Sequence, residues 1–461
     1  MTSVSVHAPD DGALLGQVQV DDAASIDAKV RSARRAMTSW MAAGPMGRAE
    51  VLLRIAADTR EALPELAEEL SREQGKTRKE ALLELERYIG PFLQYAGLAT
   101  AVGGRHHHLG GGVAGHVERG PVGVVAAIVP WNFPASLFGS KVAPALAAGC
   151  GFLIKPAETT PLITVRLANI ARAHLPEGLL DVVIGGPDVG ELLVEHPEVA
   201  RVAFTGSTAV GRRIAAHAGR GLKRVSLELG GCDPFVLLAD ADTGAAARAL
   251  MGTRFYNAGQ VCVAPKRLIV QEPVADEIIE LLTARIKRVV PGPGLAPGST
   301  MGPLHTEIGR EVLEQQIADA VDAGAELVGG GRPEEAGTER GWFVRPALLL
   351  DPPPAARVRT EETFGPVLSI VRVRDEAEAV AVATETPYGL GASVWSADRE
   401  RAWSVARRIP AGYTWINALG RVYDELPFGG VRASGMGREH GVEALDSYLE
   451  DRTFIYPATP G

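Results

Sequence analysis

The sequence is short of cysteine, with three in 461 residues. An odd and sparse set does not build a disulfide framework and is typical of a protein kept in a reducing compartment. Long apolar runs are also missing: the longest, 142–154, is interrupted by a proline and two glycines and is too short to span a bilayer. The N-terminus carries His7, Asp10 and Asp11 where a signal peptide would need basic residues and then an apolar segment. We therefore expect a cytoplasmic protein with no membrane partner.

Basic residues are outnumbered, at 47 against 56 acidic residues, and the net charge is −9. A nucleic acid or an anionic membrane would require a concentrated basic surface, so neither is expected as a partner. Three adjacent histidines, 106–108, point in different directions on a loop, and no cysteine or aspartate completes a set, so we predict no metal site. The 46% hydrophobic content is that of a soluble globular protein.

What the sequence does contain is a cysteine and a glutamate with complementary chemistry. Cys262 follows the run Asn-Ala-Gly-Gln-Val, and Glu228 lies in the run Ser-Leu-Glu-Leu-Gly-Gly. A thiolate can attack an electrophilic carbon, and a carboxylate can activate the water that releases the covalent product. A lone cysteine is more often a buried, inert hydrophobe. We interpret Cys150 and Cys232 in that way, because no motif accompanies either of them.

A third candidate follows the apolar run 122–129, which predicts a buried parallel strand that stops at Pro130. Asn132 would then lie just past the carboxyl end of that strand, where open α/β sheets place their ligands. Its amide can donate a hydrogen bond to a developing oxyanion. The alternative is that Asn132 only turns the chain.

From that run onward, short β-branched segments alternate with alanine-rich helical ones, which predicts parallel sheets with helices on both faces. The predicted strands are 122–129, 152–155, 200–205 and 224–229, and the helices between them are 141–148, 162–174 and 208–218. A second series begins with a strand at 235–238 and continues through a helix at 243–257. Ahead of both, helical spacing predicts helices over 49–71, broken or restarted at Pro64, and over 76–98.

Two glycine-rich segments have the spacing of phosphate-binding loops. The segment 110–115 matches Gly-x-Gly-x-x-Gly, but Gly-Pro follows where a helix should run, so we do not interpret it as a dinucleotide motif. Gly206 and Ser207 instead join a predicted strand to a predicted helix, whose N-terminal N–H groups would point at a pyrophosphate. Two arginines after Gly211 replace the Lys-Ser/Thr of a nucleotide triphosphate loop. The alternative is a plain helix cap by Ser207.

Together these runs resemble the aldehyde dehydrogenase superfamily, NAD(P)-dependent enzymes that oxidise aldehydes to carboxylic acids. The resemblance covers nearly the whole chain and implies an aldehyde dehydrogenase-like α/β fold. That fold has two open parallel-sheet domains, one for cofactor binding and one for catalysis, and a small β oligomerisation element. Besides the runs around Asn132, Glu228 and Cys262, the matching motifs are Leu153-Ile-Lys155-Pro-Ala-Glu158, Phe204-Thr-Gly206-Ser207, Glu361-Glu362-Thr-Phe364-Gly-Pro366, Trp415-Ile-Asn417 and Pro427-Phe-Gly-Gly430.

The resemblance also implies a division of the chain. Residues 1–102 and 122–230 would form the NAD-binding domain, and 231–433 the catalytic domain. The hairpin 103–121 and the tail 447–461 would form the oligomerisation element, with the tail joining a neighbouring subunit's sheet beside the hairpin. An unpaired strand edge is an aggregation hazard in a monomer, so we expect a homodimer or homotetramer.

In the mechanism that the resemblance implies, the Cys262 thiolate adds to a small-molecule aldehyde, and Asn132 and the Cys262 backbone N–H stabilise the oxyanion. Hydride passes to the cofactor, and Glu228 activates the water that hydrolyses the thioester. Lys141 matches a lysine thought to help a proton relay, with a structural role as the alternative. The substrate pocket would be lined by Phe133, Leu137, Ser140, Val261 and Val263, and Arg421 is a possible holder of a distal carboxylate.

The cofactor positions are likewise implied by the resemblance. Lys155 and Glu158 would bind the adenine ribose, and a carboxylate that accepts from the ribose 2′-OH would repel the 2′-phosphate of NADP. NAD is therefore favoured, with NADP as an open alternative. Glu362 and Phe364 would hold the nicotinamide ribose and ring. The remaining implied contacts are Trp131, Gly206, Ser207, Gly211 and Leu229.

Two other functions stay open. A relative that passes its acyl group to coenzyme A would not need a water-activating base, and Glu228 argues against it because those members usually lack a glutamate there. A non-catalytic structural protein of the same fold would be expected to have lost Cys262 or Glu228, and both are present. The sequence does not identify the aldehyde.

Overall fold

The computed structural model describes residues 3–458 of the chain. The strands are β1 (Ser3–His7), β2 (Leu14–Gln19), β3 (Arg105–Gly110), β4 (Val113–Pro121), β5 (Val124–Ile128), β6 (Gly151–Lys155), β7 (Leu180–Val182), β8 (Val199–Thr205), β9 (Arg224–Glu228), β10 (Pro234–Leu237), β11 (Arg267–Gln271), β12 (Glu326–Gly329), β13 (Ala347–Leu350), β14 (Val367–Val373), β15 (Gly391–Trp395), β16 (Tyr413–Ile416), β17 (Gly435–Met436) and β18 (Leu449–Pro457). The helices are α1 (Ala23–Ala42), α2 (Gly44–Glu61), α3 (Leu63–Gln74), α4 (Arg78–Ala99), α5 (Pro134–Ala148), α6 (Pro161–Arg172), α7 (Pro187–Glu195), α8 (Thr208–Arg220), α9 (Thr243–Arg254), α10 (Glu272–Ile286), α11 (Glu307–Asp322), α12 (Arg357–Thr360), α13 (Glu376–Thr384), α14 (Arg399–Ala406) and α15 (Gly441–Ser447). Within this described range, no helix has the length and apolar character that crossing a bilayer requires. The outermost residues of the predicted domains, 1–2 and 459–461, lie outside the described residues.

The middle of the chain forms a six-stranded sheet in the order β17-β9-β8-β5-β6-β7. Its strands are parallel except for the short β17, which returns from near the C-terminus and pairs antiparallel with β9. The Val-, Ile- and Ala-rich strands β5, β6 and β8 are almost wholly buried, as expected for strands covered by helices on both faces. The four predicted strands of this region are confirmed to within a residue or two.

Two elements of this region were missed, and one helix was predicted too short. β7 and α7 lie between the predicted helix at 162–174 and the predicted strand at 200–205. α5 begins at Pro134, well before the predicted start. The Glu84 carboxylate on α4 accepts hydrogen bonds from the N–H groups of Ala135 (2.8 Å) and Ser136 (3.3 Å). A side chain distant in sequence therefore satisfies the first turn of α5, which local sequence does not reveal.

The second half of the chain forms a seven-stranded sheet in the order β12-β13-β14-β11-β10-β15-β16. All neighbours are parallel except β12, which pairs antiparallel with β13 at one edge. The predicted strand at 235–238 is β10, and the predicted helix at 243–257 is α9, which ends earlier, at Arg254. Two open, largely parallel sheets confirm the predicted α/β class.

A separate three-stranded antiparallel sheet has the order β18-β4-β3. β18 pairs along its whole length with β4 of the same chain and is the outer strand of this sheet, so the joining of the tail to a neighbouring subunit's sheet stays a prediction. The N–H of Val122 donates to the carbonyl of Tyr448 (3.0 Å), which fixes the start of the tail beside the end of its own hairpin. Within residues 3–458, β3 forms an edge that pairs with no further strand.

The fold brings the predicted site loops to one edge of the six-stranded sheet. β5, β8 and β9 are adjacent and parallel, and they end at Ile128, Thr205 and Glu228. The loops after β5 and β8 carry Asn132 and the Gly206 turn, and Glu228 is the last residue of β9. Because the carboxyl ends of parallel strands share an edge, these residues converge although they are far apart in sequence.

Candidate active site

A cavity of about 330 Å³ opens at the carboxyl ends of β5, β8 and β9. The predicted site residues that line it are Trp131, Asn132, Phe133, Leu137, Ser140, Gly206, Ser207, Glu228, Leu229, Val261, Cys262, Val263, Glu362 and Phe364. Lys141 lies behind the wall and contacts residues that line it. Lys155 and Glu158 line a second cavity. The main cavity is therefore lined by Cys262, by Asn132, by Glu228 and by the residues predicted to contact the substrate.

Cys262 lies on a loop whose backbone follows an unusual path. Asn257 and Ala258 both have a positive φ of 51°, and Gly259 approaches the Gly365 carbonyl so closely that a Cβ would collide with it. Left-handed backbone at non-glycine residues costs of order 1–3 kcal/mol each. The surrounding structure must therefore hold this loop in place.

The buried guanidinium of Arg254 is part of that support. It donates hydrogen bonds to the carbonyls of Thr363 (3.0 Å), Gly365 (2.6 Å) and Val367 (2.6 Å). These carbonyls belong to the segment that carries Glu362 and Phe364. Arg254 thus ties the end of α9, where the cysteine loop begins, to the segment on the other side of the cavity.

The Cys262 thiol is only partly exposed. Burial raises its pKa to about 12, and the Lys266 ammonium opposes that rise. Lys266 also donates to the carbonyls of Val261 (2.9 Å) and Cys262. The protein by itself therefore holds the thiol protonated at neutral pH, and forming the thiolate requires a base. Cys150 and Cys232 are fully buried and do not line this cavity.

Asn132 is buried between two loops. The side-chain Nδ2 of Asn132 donates to the backbone carbonyl of Gln260 (2.9 Å). The backbone carbonyl of Asn132 accepts from Nδ2 of Asn257 (3.0 Å) and from Nζ of Lys76 (2.9 Å). An amide nitrogen carries two protons, so one remains for another acceptor in the cavity. Asn132 is therefore fixed directly against the cysteine loop.

One face of α4 and the residues just before it supply three charged side chains to these loops. Lys76 and Glu84 form an ion pair whose side chains are both 0% exposed. Glu80, midway between them, accepts from the backbone N–H of Asn257 (2.7 Å). The spacing of four residues places the three side chains on one helical face. The sequence analysis missed this set, and the capping box formed by Thr77 and Glu80 was the local signal for where α4 begins.

Glu228 ends β9 with a buried carboxyl group. Burial raises its pKa well above the usual range, and the Glu439 charge adds to the rise, while Lys141 lowers it. Neither carboxyl oxygen accepts a well-formed hydrogen bond from the described residues. Gly429 approaches Glu228 so closely that a Cβ would lie 2.6 Å from Oε1. A carboxyl group with a raised pKa at the cavity wall can exchange protons with a substrate or with water.

Lys141 and Glu439 form a second buried ion pair beside Glu228. Lys141 also donates to the Thr205 hydroxyl (2.7 Å), and the Ser140 hydroxyl donates to Glu439 (2.9 Å). Burial alone would raise the pKa of Glu439, but Lys141 and these hydrogen bonds outweigh burial and the pKa falls. The sequence analysis missed Glu439, which lies 298 residues from Lys141 in the chain and whose backbone pairs with that of Phe428.

The turn at Gly206 has the strand-to-helix geometry that the sequence predicted. Ser207 is the N-cap of α8, and its hydroxyl accepts from the N–H of Val210 (3.4 Å). Gly211 has no room for a Cβ because the Leu229 side chain packs against it. The cap interpretation and the phosphate interpretation are compatible, since Gly206 and Ser207 line the main cavity and Val210, in the first turn of α8, lines the second.

A second cavity, of about 170 Å³, lies between α7 and α8. Lys155 and Glu158 line it together with apolar side chains of both helices. Phe204 lines this cavity, and its neighbours Thr205 and Gly206 line the first one. The two cavities thus meet at consecutive residues of one strand end, so one extended ligand can reach both.

The rim of this second cavity carries a group of charged side chains. The ligand atoms of Glu191, Glu195 and His217 lie within 4.8 Å of one another. His217 contacts both glutamates, and Arg213 lies 3.7 Å from Glu191. These side chains thus contact one another in the described part of the chain, and the expected absence of a metal site stays a prediction.

Glu362 and Phe364 face the main cavity from the opposite side. Glu362 accepts from the N–H of Gly231 (3.3 Å) and lies 3.9 Å from Lys266. The Phe364 ring meets the edge of Trp131, with centroids 5.7 Å apart at 89°. A carboxylate and an aromatic edge at one end of the cavity suit a ribose and a planar ring.

One sequence candidate lies away from the cavity. Arg421 stands over the Tyr423 ring at 5.0 Å and does not line the cavity, whereas Val422 and Asp424 do. The interpretation of Arg421 as a pocket arginine is therefore wrong. Asn417, which begins this loop after β16, has a positive φ of 50°.

Comparisons with known proteins agree with this geometry. Residues 1–454 match the model of the Aldehyde dehydrogenase family. Phenylacetaldehyde dehydrogenase of Pseudomonas fluorescens is 40% identical, over 98% of this chain and 92% of that protein. Glutarate-semialdehyde dehydrogenase of Pseudomonas aeruginosa is 38% identical, over 97% and 93%. The solved structure of PnpE from Pseudomonas sp. WBC-3 has a TM-score of 0.97 and 37% identity, covering 100% of this chain and 95% of that one.

The chain therefore belongs to the aldehyde dehydrogenase family. It is an oxidoreductase of aldehydes that depends on NAD or NADP. PnpE has also been solved in complex with nicotinamide adenine dinucleotide.

Proposed function

We propose that the protein oxidises an aldehyde to its carboxylic acid with NAD, through a covalent intermediate on Cys262. The observation that supports this proposal most directly is that Cys262, Asn132 and Glu228 line one cavity although they come from three separate segments of the chain. A nucleophile, an oxyanion donor and a water-activating base are the groups that aldehyde oxidation to a free acid needs.

In the first half-reaction the Cys262 sulfur bonds to the aldehyde carbon, and the carbonyl oxygen becomes the oxyanion of a thiohemiacetal. The free amide proton of Asn132 and the Cys262 backbone N–H are placed to stabilise this oxyanion. Collapse of the oxyanion expels hydride from the same carbon and leaves a thioester. Because the pKa of Cys262 is raised, the thiol proton must leave before attack.

In the second half-reaction Glu228 takes a proton from water, whose oxygen attacks the thioester carbon and releases the acid and the thiol. The buried pair of Lys141 and Glu439 lies beside Glu228 and supports a proton route from the site through the Thr205 and Ser140 hydroxyls. The overall balance is one aldehyde, one water and one oxidised cofactor giving one acid, one reduced cofactor and one proton.

The residues fit a dinucleotide. The N–H groups at the start of α8 and the two meeting cavities leave space for a pyrophosphate between an adenosine end and a nicotinamide end. Lys155 and Glu158 would hold the adenine ribose, and Glu362, Phe364 and Trp131 the nicotinamide end. When bound, NAD supplies the hydride acceptor. The Glu158 carboxylate favours a free ribose 2′-OH over a 2′-phosphate.

The domain roles, the assembly and the compartment belong to the same proposal. Residues 1–102 and 122–230 would bind the cofactor, and 231–433 would carry the catalytic cysteine. The three-stranded sheet formed by 103–121 and the tail would join subunits into a homodimer or homotetramer, since β3 presents an unpaired edge and Ile455 is 69% exposed. The net charge of −9 and the sparse cysteines support a cytoplasmic enzyme.

The direct test is product analysis with purified protein. In the absence of coenzyme A, we expect an aldehyde to give NADH and the free carboxylate. When coenzyme A is added, we expect no acyl-coenzyme A product. Cys262→Ala should abolish both products, while Cys150→Ala and Cys232→Ala should retain most activity. An acyl-coenzyme A product would favour the acylating alternative, and turnover by Cys262→Ala would refute the covalent mechanism.

A further inference from the structure

Arg87 lies at the outer end of the cavity that contains Cys262. It follows the buried Glu84 by one turn of α4, so its side chain is on the side of the helix that meets the start of α5. It lines the cavity together with Ser136 and Leu137. Arg87 is exposed whereas Cys262 is partly buried, so the arginine marks the end of the cavity nearer to solvent.

Aromatic packing fixes the position of this guanidinium. Its Cζ lies 5.5 Å from the centroid of the Tyr256 ring. Tyr256 in turn stacks on Phe133, with centroids 5.8 Å apart at 20°. A guanidinium held over an aromatic face keeps the N–H donors at its edge for other partners. The cavity wall thus orients Arg87 without using its hydrogen-bonding capacity.

The charges around the cavity leave Arg87 without a protein partner. The local partners of the carboxylates that line it are Lys141 for Glu439, His440 for Asp424 and Lys266 for Glu362. Burial raises the pKa of Glu228 well above its usual range, and burial also raises the pKa of Glu362. Arg87 has no carboxylate within 4.0 Å and makes no side-chain hydrogen bond among residues 3–458. It is also the one arginine or lysine among the described residues that line the cavity.

We propose that Arg87 binds a carboxylate at the far end of the substrate, so that the preferred substrates are aldehydes with a terminal carboxyl group. This inference rests on the proposed function, because it assumes that the aldehyde carbon lies at Cys262. The carbon chain would then run along Phe133 and Leu137, and the carboxylate would pair with the planar guanidinium through two parallel hydrogen bonds.

The test compares matched substrates on matched variants. Succinic, glutaric and adipic semialdehydes are each paired with butanal, pentanal or hexanal, the neutral aldehyde of equal length. We expect Arg87→Gln to lower kcat/KM for the best carboxylated aldehyde about 10- to 100-fold, the range for a lost charged hydrogen bond. Its effect on the neutral partner should stay within about three-fold, because neutral chains have nothing for the guanidinium to bind. Arg421→Gln removes a nearby arginine outside the cavity and should leave both values unchanged.

A binding measurement makes the result independent of turnover. Glutarate, titrated calorimetrically into the NAD-bound protein, should bind to wild type and to Arg421→Gln and lose its binding in Arg87→Gln. Equal losses on carboxylated and neutral aldehydes, or glutarate binding that Arg87→Gln does not change, would overturn the proposal. If no aldehyde is oxidised by wild type, the proposed function fails, while glutarate binding still decides the role of Arg87.

Discussion

The ammonium of Lys76 donates a hydrogen bond of 2.9 Å to the backbone carbonyl of Asn132. Lys76 is at the same time paired with Glu84, and both side chains are fully buried. Glu84 in turn accepts from the first N–H groups of α5, directly after Asn132 and Phe133. This ion pair therefore fixes the backbone that carries Asn132, the proposed oxyanion donor.

Lys76→Met should destabilise the fold and slow hydride transfer. Breaking a buried ion pair by removing one partner costs about 3–5 kcal/mol, and misplacing a catalytic group by an ångström can slow the reaction about 100-fold. The double variant Lys76→Met/Glu84→Gln removes the stranded charge, so most stability should return. The rate should stay low, because methionine cannot hold Asn132. Urea denaturation and stopped-flow NADH formation measure the two effects, and a double variant with the wild-type burst rate would show a purely structural role.

Glu439→Gln should move the acid limb of the pH profile of kcat to lower pH. The pKa of Glu228 is raised by burial and then by the Glu439 charge, and Lys141 lowers it. Neutralising Glu439 removes a raising charge and leaves Lys141 uncompensated, so the pKa of Glu228 falls. The carboxylate needed for deacylation then persists to lower pH. Ser140→Ala, which removes a hydrogen bond and no charge, is the control. A midpoint that rises or stays fixed in Glu439→Gln would contradict the assigned coupling.

Glu158→Gln should relax the preference for NAD over NADP. The side chain lines the second cavity with Lys155, and its charge would repel a ribose 2′-phosphate while its oxygens accept from a 2′-OH. We expect the ratio of kcat/KM for NADP to that for NAD to rise about 10-fold, equivalent to about 1.4 kcal/mol. Glu195→Gln, a nearby change outside the cavity lining, is the matched control. A ratio that changes equally in both variants would remove the specific role of Glu158.

Light scattering should give a dimer or tetramer. Truncation after Asp446 removes β18 and leaves both long edges of the hairpin unpaired, so the protein should dissociate or precipitate. Ile455→Lys is the milder variant: the residue is 69% exposed, so its own fold tolerates lysine while an apolar subunit contact would not. A truncated protein that remains a stable, active monomer would disprove assembly through this sheet.

The sequence was informative where function depends on a residue beside a strand end. Asn132, Gly206 and Glu228 each follow or end an apolar strand, so local pattern places them on one edge. Local sequence patterns made no prediction where a site depends on contacts between distant segments. Lys141 and Glu439 lie 298 residues apart, and no local sequence pattern predicts that they form an ion pair.

The same limit explains the arginine that was chosen from sequence. Arg421 belongs to the loop that reaches the cavity, but Val422 and Asp424 line the cavity while Arg421 packs over the Tyr423 ring. Arg87 lies on α4, and the local sequence predicts only an ordinary exposed helical residue at this position. Only the packing of α4 against α5 and Tyr256 brings it to the cavity.

The central claim is that Cys262 and Glu228 serve separable halves of one reaction, and pre-steady-state kinetics of Glu228→Gln test it most directly. A general base contributes about 10²–10⁴-fold, so steady turnover should fall by that range. A rapid burst approaching one NADH per active site should persist, with the acyl group found on Cys262 by mass spectrometry. Loss of the burst together with turnover would mean that Glu228 also generates the thiolate. Turnover at the wild-type rate would contradict the account.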